Sequence, residues 1–346
     1  MALQARAVQK QTVALENVDL KNMDETSVHI SSVYSLVSTG TEVSTINGAI
    51  ARFHKGWSDE YRLFGDHYGS LKDFPVSLGY SCVGKVINTG AGVTQVKEGD
   101  FVWLDRPHQT EHVVPESEAV RGLCVPGVDP RRYIFRVLAK VALAAVHDAR
   151  PYIGATALVT GLGVVGQLAT QLLKANGVTR IFATDICEKR REVAASQGIE
   201  VIDPSTTNVA EFVKMNSQGL GVDFAIEAST NFNALNDCIR AVSVGGRVVT
   251  LSTYTGQANA LNLGEEYHRN RVELISSMSV NECPHRGYPQ WSTERLIDTT
   301  RQLLDAGIIE PEKSLLTKEI NFRDVPSLYA ELCQGKSDDV GIAIKY

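Results

Sequence analysis

Residues 155–185 read ATALVTGLGVVGQLATQLLKANGVTRIFATD, and their reading decides the fold. A short apolar run, Ala157 to Thr160, ends at Gly161, and Gly163 and Gly166 complete a G-x-G-x-x-G spacing. Val165, Leu168, Ala169, Leu172 and Leu173 then fall at i, i+3, i+4, i+7 and i+8, one face of a helix. Gly177 is placed to end that helix. A second apolar run, Ile181 to Ala183, leads to Asp185. Strand, tight turn, helix, strand and acid thus follow in order.

Each part of this stretch has a physical job. Gly161 permits the turn, Gly163 lets a pyrophosphate approach the backbone, and Gly166 lets helix and strand pack closely. The first helical turn, with Val164 and Val165, presents N–H groups and a positive dipole end to phosphate. Asp185 lies 19 residues after Gly166, near the ~20 expected of the acid that binds a ribose 2′-OH. A carboxylate there accepts hydroxyl hydrogen bonds and repels a 2′-phosphate, so the stretch predicts a site for NAD(H). Arg190 and Arg191 follow closely and work against that preference.

Outward from this stretch, strands and helix-like segments alternate. Glu200–Ile202, Val222–Glu227, Arg247–Leu251 and Val272–Ser279 read as strands, which predicts a parallel sheet with helices on both faces. Ligands of such sheets bind beyond the carboxyl ends of the strands. Backbone at Ala228, Ser229, Leu251, Ser252 and Met278 is therefore placed to contact the cofactor. Pro130 to Ala149 has helical spacing. Thr293 to Ala306 reads as a helix, Asn321 to Gly335 contains another, and Ile342 to Lys345 is a final strand.

Residues 1 to about 125 read as β-rich, with strands at Val28–Val37, Phe101–Leu104 and Glu111–Val114. Glycines 79, 84, 90, 92 and 99 punctuate short apolar runs, as in a small, strongly bent barrel. Residues 48–74 are polar and aromatic without a period, which reads as a long surface lobe. The chain has 346 residues, 43% hydrophobic and 21% charged, enough for two domains with sizeable cores. A net charge of −6 gives no nucleic-acid or membrane surface. No apolar run approaches the ~18 residues of a membrane span, and no signal-peptide pattern opens the chain. The 6 cysteines are scattered without a C-x-x-C pair, so reduced thiols and a cytoplasmic location are expected.

The order of motifs resembles the medium-chain dehydrogenase/reductase superfamily over nearly the whole chain. PVSLGYSCVGKVINTGAGVTQVKEGDFV, ALVTGLGVVGQLATQLLKANG with Asp185, and VDFAIEAS with VGGRVVTLS carry the resemblance. It implies a GroES-like β-barrel substrate domain, residues 1–128 and 280–346, and a Rossmann doubly wound domain, residues 129–279. It also implies hydride transfer in the cleft between them and a homodimer formed through the Rossmann domains, with a tetramer as the alternative. Zinc members carry Cys-Gly-Ser/Thr-Asp and later Gly-His-Glu. Here those segments read Thr39-Gly40-Thr41-Glu42 and Gly79-Tyr80-Ser81, so the ligand positions hold Thr39, Tyr80 and Ser81. Zinc prefers thiolate, imidazole or carboxylate, and the four-cysteine structural lobe is missing. Neither a catalytic nor a structural zinc is expected. STGTE, residues 38–42, resembles the bacteriochlorophyllide-dehydrogenase-like and sugar or cyclitol dehydrogenase-like branch.

Without a metal, another group must hold and protonate or deprotonate the substrate oxygen. Tyr80 is the first candidate, its alternative being that it only fills a ligand position. Thr41 matches the family's substrate-binding hydroxyl, and Glu42 its acidic position, with a structural ion pair as the alternative. His67 and His108 are further acid/base candidates, placed by the sequence in the lobe and in the loop after Leu104, with a surface histidine as the alternative for each. Thr39, Trp57, Tyr61, Arg62 and Tyr68 are candidates for gripping a sugar or cyclitol, and covering the barrel or forming a subunit contact is the alternative for the lobe residues. These residues favour a zinc-independent NAD(H) oxidoreductase of polar secondary alcohols. The alternatives are an NADPH-dependent enoyl or quinone reductase and a non-catalytic cofactor-binding protein.

Overall fold

The structure is a computed structural model and describes residues 1–69, 71–277 and 291–346. Two units divide the chain: Met1–Phe135 with Lys318–Ser337 and Ile342–Tyr346, and Arg136–Thr317 with Asp338–Gly341.

The first unit opens with β1 (Ala2–Gln9), β2 (Thr12–Val18), β3 (Ser27–Leu36) and a helix, α1 (Thr39–Ile46). A small hairpin, β4 (Gly56–Ser58) and β5 (Leu63–Gly65), follows. Then come β6 (Val76–Ser77), β7 (Cys82–Thr89), β8 (Phe101–Leu104), β9 (Glu111–Pro115) and α2 (Glu116–Arg121).

The second unit begins at α3 (Arg136–Ala149), preceded by a tighter turn over Pro130–Phe135. It continues through β10 (Thr156–Thr160), α4 (Val164–Ala175), β11 (Arg180–Thr184), α5 (Glu188–Ser196), β12 (Glu200–Ile202) and α6 (Val209–Met215). Then follow β13 (Val222–Glu227), α7 (Phe232–Ala241), β14 (Val242–Thr250), β15 (Glu273–Ser276), α8 (Thr293–Asp305) and α9 (Pro311–Ser314). The chain returns through β16 (Leu316–Asn321) and α10 (Val325–Cys333) to β17 (Gly341–Lys345).

In the second unit the parallel sheet has the order β12-β11-β10-β13-β14-β15. Its central strands are contiguous apolar runs because helices cover both faces; β10 is buried from Ala157 to Thr160. The order reverses between β10 and β13, the switch point at which such sheets take ligands. Gly177, at φ +93°, ends α4 as expected.

The sequence reading gave 280–346 to the first domain. The structure groups Thr293–Thr317 with the second unit instead, because α8 packs against α3.

In the first unit one sheet runs β2-β1-β6 and another β16-β17-β3-β7-β8, with β9 paired to Ser27–Ser31 of β3 where β17 pairs only Tyr34–Leu36. One core gathers Ala5, Ile46, Leu78, Phe322, Leu328 and Ile344, so the C-terminal return completes it. Two local features differ from the β-rich reading. STGTE forms the start of α1, and the lobe contains the β4–β5 hairpin. Thr39, Gly40 and Thr41 are weak helix formers. The helix forms because the Glu42 carboxylate reaches back to accept the Ser38 N–H at 3.1 Å, satisfying a donor that the first turn leaves free.

Candidate functional site

The glycine turn has the form of a pyrophosphate cradle. Gly161 sits at φ +86°, a conformation that favours glycine, and its N–H donates to Thr184 O at 2.8 Å. A Cβ on Gly166 would lie 1.8 Å from Gly161 O, whereas a Cβ on Gly163 would meet nothing within 4 Å. The turn is therefore closed against the protein at Gly166 and open at Gly163, where a phosphate needs room. α4 starts at Val164, with Gly163 as its cap and no side chain spent on the free N–H groups. These residues fit a dinucleotide.

Asp185 follows β11 and is 8% exposed. Its Oδ2 accepts the Leu162 N–H at 2.7 Å and its Oδ1 accepts the Cys187 N–H at 2.8 Å. The acid is thus fixed to the glycine turn. The Arg190 guanidinium lies 3.9 Å from it, and Arg191 bonds Asp185 O at 2.8 Å and Asp203 at 3.0 Å. Ala228, Ser229, Leu251 and Ser252 occupy the turns after β13 and β14. The Ala228 N–H donates to Thr160 O at 2.8 Å, which draws that turn to the end of β10. Met278 lies outside the described residues.

Three of the catalytic candidates, Tyr80, Glu42 and His108, meet in one network, while His67 stays outside it. The Tyr80 phenol donates to Ser38 Oγ, and the Thr41 side chain is near enough to lower its pKa slightly. Burial, and secondly the Glu42 carboxylate, push the Tyr80 pKa up to about 12, so the phenol carries its proton at neutral pH. Glu42 is 3% exposed. Its Oε2 accepts the Tyr329 O–H and lies 3.4 Å from His108 Nε2. His108 Nδ1 is 2.8 Å from Ser35 Oγ, which is 2.9 Å from the Tyr346 phenol oxygen. With the imidazole proton on Nε2 facing Glu42, Nδ1 accepts from Ser35.

The surface-loop reading of His108 is corrected here, because its exposure is 0%. Gly79, at φ +82°, makes room for it: a Cβ there would come within 2.5 Å of the imidazole. Ser38, Tyr329 and Tyr346 were missed by the sequence reading. Only Ser38 had a local signal, as a helix cap.

The expected substrate-binding lobe is held by its own rings. Trp57 and Phe64 centroids are 4.8 Å apart, Tyr61 and Tyr68 6.3 Å, and His67 and Tyr68 4.2 Å. Arg62 lies over the Trp57 ring at 5.7 Å. His67, Tyr61 and Arg62 are exposed, Thr39 is half-buried, and Thr41 is exposed at the start of α1. These ring contacts all stay within the lobe and do not reach the Glu42 network.

The superfamily implies a zinc ion, and the side chains at the three ligand positions do not fit one. Ser81 Oγ donates to Ile134 O at 2.6 Å, and Tyr80 is a phenol whose raised pKa keeps it protonated, a poor zinc ligand. Both oxygens of the nearby Glu42 already accept hydrogen bonds. Among the described residues no group of His, Cys, Asp or Glu is arranged to hold a metal.

A second buried pair is Cys82 and His112. Cys82 Sγ is 3.7 Å from His112 Nε2. Burial pushes the thiol up to about 12, and burial with Arg106 pushes the imidazole down to about 4. In the unfolded chain the imidazole returns to near 6.5, so between about pH 4 and pH 6.5 the unfolded state binds more protons. Stability therefore rises with pH across that window and is lost as pH falls through it, by on the order of 3 kcal/mol. Urea unfolding of wild type and His112→Gln at pH 4.5 and pH 7 checks this. The variant is expected to show a flatter pH dependence, and an unchanged slope refutes the assignment.

The sequence profile of the zinc-binding dehydrogenase family matches residues 164–294. D-guloside 3-dehydrogenase of Escherichia coli (strain K12) is 27% identical over 298 residues, 84% of this chain and 85% of the relative. The crystal structure of 2R,3R-butanediol dehydrogenase from Bacillus subtilis superposes with a TM-score of 0.76 at 20% identity, covering 100% of each chain. A zinc-binding dehydrogenase structure from Sinorhizobium meliloti 1021 bound to NADP gives 0.78 at 16% identity, covering 100% of this chain and 99% of that one. Among the described residues no helix is long and apolar enough to cross a membrane. The chain is therefore similar in sequence to these dehydrogenases over most of its length and shares the fold of the solved ones.

Proposed function

We propose that this chain is an oxidoreductase that moves a hydride between NAD(H) and a polar secondary alcohol or its ketone, of the sugar, cyclitol or hydroxyalkyl kind, without zinc. The observation that carries the reading is a single one. The chain combines a glycine turn, open at Gly163 and tied to Asp185, with a proton-bearing phenol, Tyr80, at a position where zinc members place a metal ligand. Relatives named for D-guloside and 2R,3R-butanediol support a hydroxyl-bearing substrate.

Bound NAD(H) supplies the hydride acceptor or donor. Tyr80 holds the substrate oxygen and, with a pKa of about 12, donates a proton to a carbonyl oxygen far more readily than it removes one from an alcohol at neutral pH. Thr41 contributes a second hydroxyl beside it. The aromatic and cationic lobe, with Trp57, Tyr61, Arg62, Tyr68 and His67, covers the polar substrate. Association as a homodimer through the dinucleotide units and a cytoplasmic location belong to the same reading.

The test is a parallel fluorescence titration of metal-analysed protein with NADH and NADPH. Arg190 and Arg191 are engaged with Asp185 and Asp203, which supports the acid as the ribose partner. NADH is expected to bind at least about tenfold more tightly than NADPH, and Asp185→Ser to erase that ratio. Tighter NADPH binding by the wild type overturns the cofactor assignment and directs the substrate screen to enones and quinones. Stoichiometric zinc overturns the metal-free mechanism.

A further inference from the structure

Glu227 ends β13 and is fully buried. Burial raises its pKa, and the hydrogen bonds it accepts from Ser229 and Tyr254 work against that rise. Its carboxyl group is spent on two turns. Oε1 accepts the Ser229 N–H at 2.6 Å and the Ser229 hydroxyl. Oε2 accepts the Tyr254 O–H. Tyr254 lies in the segment after β14, and its ring stacks on Phe232 at 4.8 Å. The backbone repeats the tie, with the Leu251 N–H donating to Glu227 O at 3.0 Å.

The turn so held is strained and closely fitted. Thr230, a β-branched residue, sits at φ +64°, a conformation such residues adopt only when their surroundings impose it. Ser229 packs so tightly on the glycine turn that a Cβ on Gly161 would lie 2.7 Å from Ser229 N.

The sheet order fixes which half of a dinucleotide these turns face. Asp185, at the end of β11, marks the adenosine side of the switch point between β10 and β13. The other half of the molecule must then extend over the ends of β13 and β14.

We propose that Glu227 and Tyr254 are positioning residues for the nicotinamide half of the cofactor, clamping the turns after β13 and β14 to the glycine turn. The inference rests on the dinucleotide reading given above. The clamp acts through Ser229, Thr230 and Leu251, on the opposite side of β10 from Asp185.

The experiment compares NADH and AMP binding to wild type, Tyr254→Phe and Glu227→Gln by fluorescence and calorimetric titration. Tyr254→Phe keeps the ring stack and removes only the hydroxyl. Its Kd for NADH is expected to rise about tenfold, while its Kd for AMP stays within about twofold. Glu227→Gln keeps an acceptor for Ser229 and a polar group toward Tyr254, so it is expected to retain most of the NADH affinity. Unchanged NADH affinity in Tyr254→Phe overturns the proposal. An equal loss of NADH and AMP affinity also overturns it, because that marks general loosening of the unit. Wild-type protein that binds neither ligand refutes the dinucleotide reading itself.

Discussion

Gly166→Ala is expected to abolish NADH binding, with Kd rising by roughly 100-fold or more. The added methyl would lie 1.8 Å from Gly161 O and 3.6 Å from Ala228 Cβ. The first of these is backbone, so no side chain can swing aside to relieve it. Gly161 cannot retreat, because it is pinned at φ +86° with Ser229 against it. The helix must move instead. α4 is anchored along its length by buried Leu168, Leu172 and Leu173, and by Gln167 Nε2 donating to Arg190 O at 2.9 Å. Relief therefore tilts the first turn of α4 away from β10 and withdraws the N–H groups that face phosphate. Gly163→Ala is the informative companion. Its methyl meets no protein atom within 4 Å and its backbone, at φ −68°, suits alanine. It should fold with unchanged stability yet weaken NADH, because it fills space the pyrophosphate needs. Titration with NADH and thermal unfolding of both variants check the pair. Gly166→Ala protein that binds NADH within about twofold of wild type would show that the turn is not the phosphate site.

The same residues explain why this half of the molecule could be read from the sequence. Parallel strands buried on both faces leave contiguous apolar runs, so β10, β11 and β13 stand out. The helix between β10 and β11 shows its 3.6 period and ends at a glycine. Each of these signals is local. The network in the first unit is not. Glu42 meets Tyr329 across 287 positions and Ser35 meets Tyr346 across 311, so nothing in either segment announces its partner. α1 was hidden for a related reason. Its first residues favour other conformations, and a single acid reaching back to Ser38 makes the helix. His108 looked like a loop histidine because its neighbours Asp105 and Arg106 are polar. Its burial depends on the space left by Gly79, which the sequence does not place. Glu227 likewise read as the end of a strand, and only the fold brings Tyr254 to it.

Glu42→Ala carries the second large effect, on stability. Its carboxylate accepts from the Ser38 N–H, the Tyr329 O–H and the His108 ring, and all of these lie in the interior. Removing the acceptor leaves each donor buried without its partner, at about 1–3 kcal/mol apiece. A loss on the order of 4 kcal/mol is a large share of the roughly 5–15 kcal/mol that holds a folded protein together. The expected result is a fall in the unfolding midpoint of roughly 10 °C, with the N-terminus of α1 the first part to open. Glu42→Gln separates this structural cost from the electrostatic one. The amide keeps one acceptor and the shape of the side chain, so about half of the stability loss should return. Its charge does not return. The carboxylate is the second cause, after burial, that holds the Tyr80 phenol near 12, so the Tyr80 pKa in Glu42→Gln should fall but stay above the usual ~10 of tyrosine. Carbon-13 NMR titration of tyrosine-labelled protein, with the Tyr80 signal assigned through Tyr80→Phe, separates this phenol from the other tyrosines among the 11. A midpoint unmoved in Glu42→Ala would show that the donors find other partners. A Tyr80 pKa unmoved in Glu42→Gln would show that burial alone keeps the proton on the group proposed to donate it.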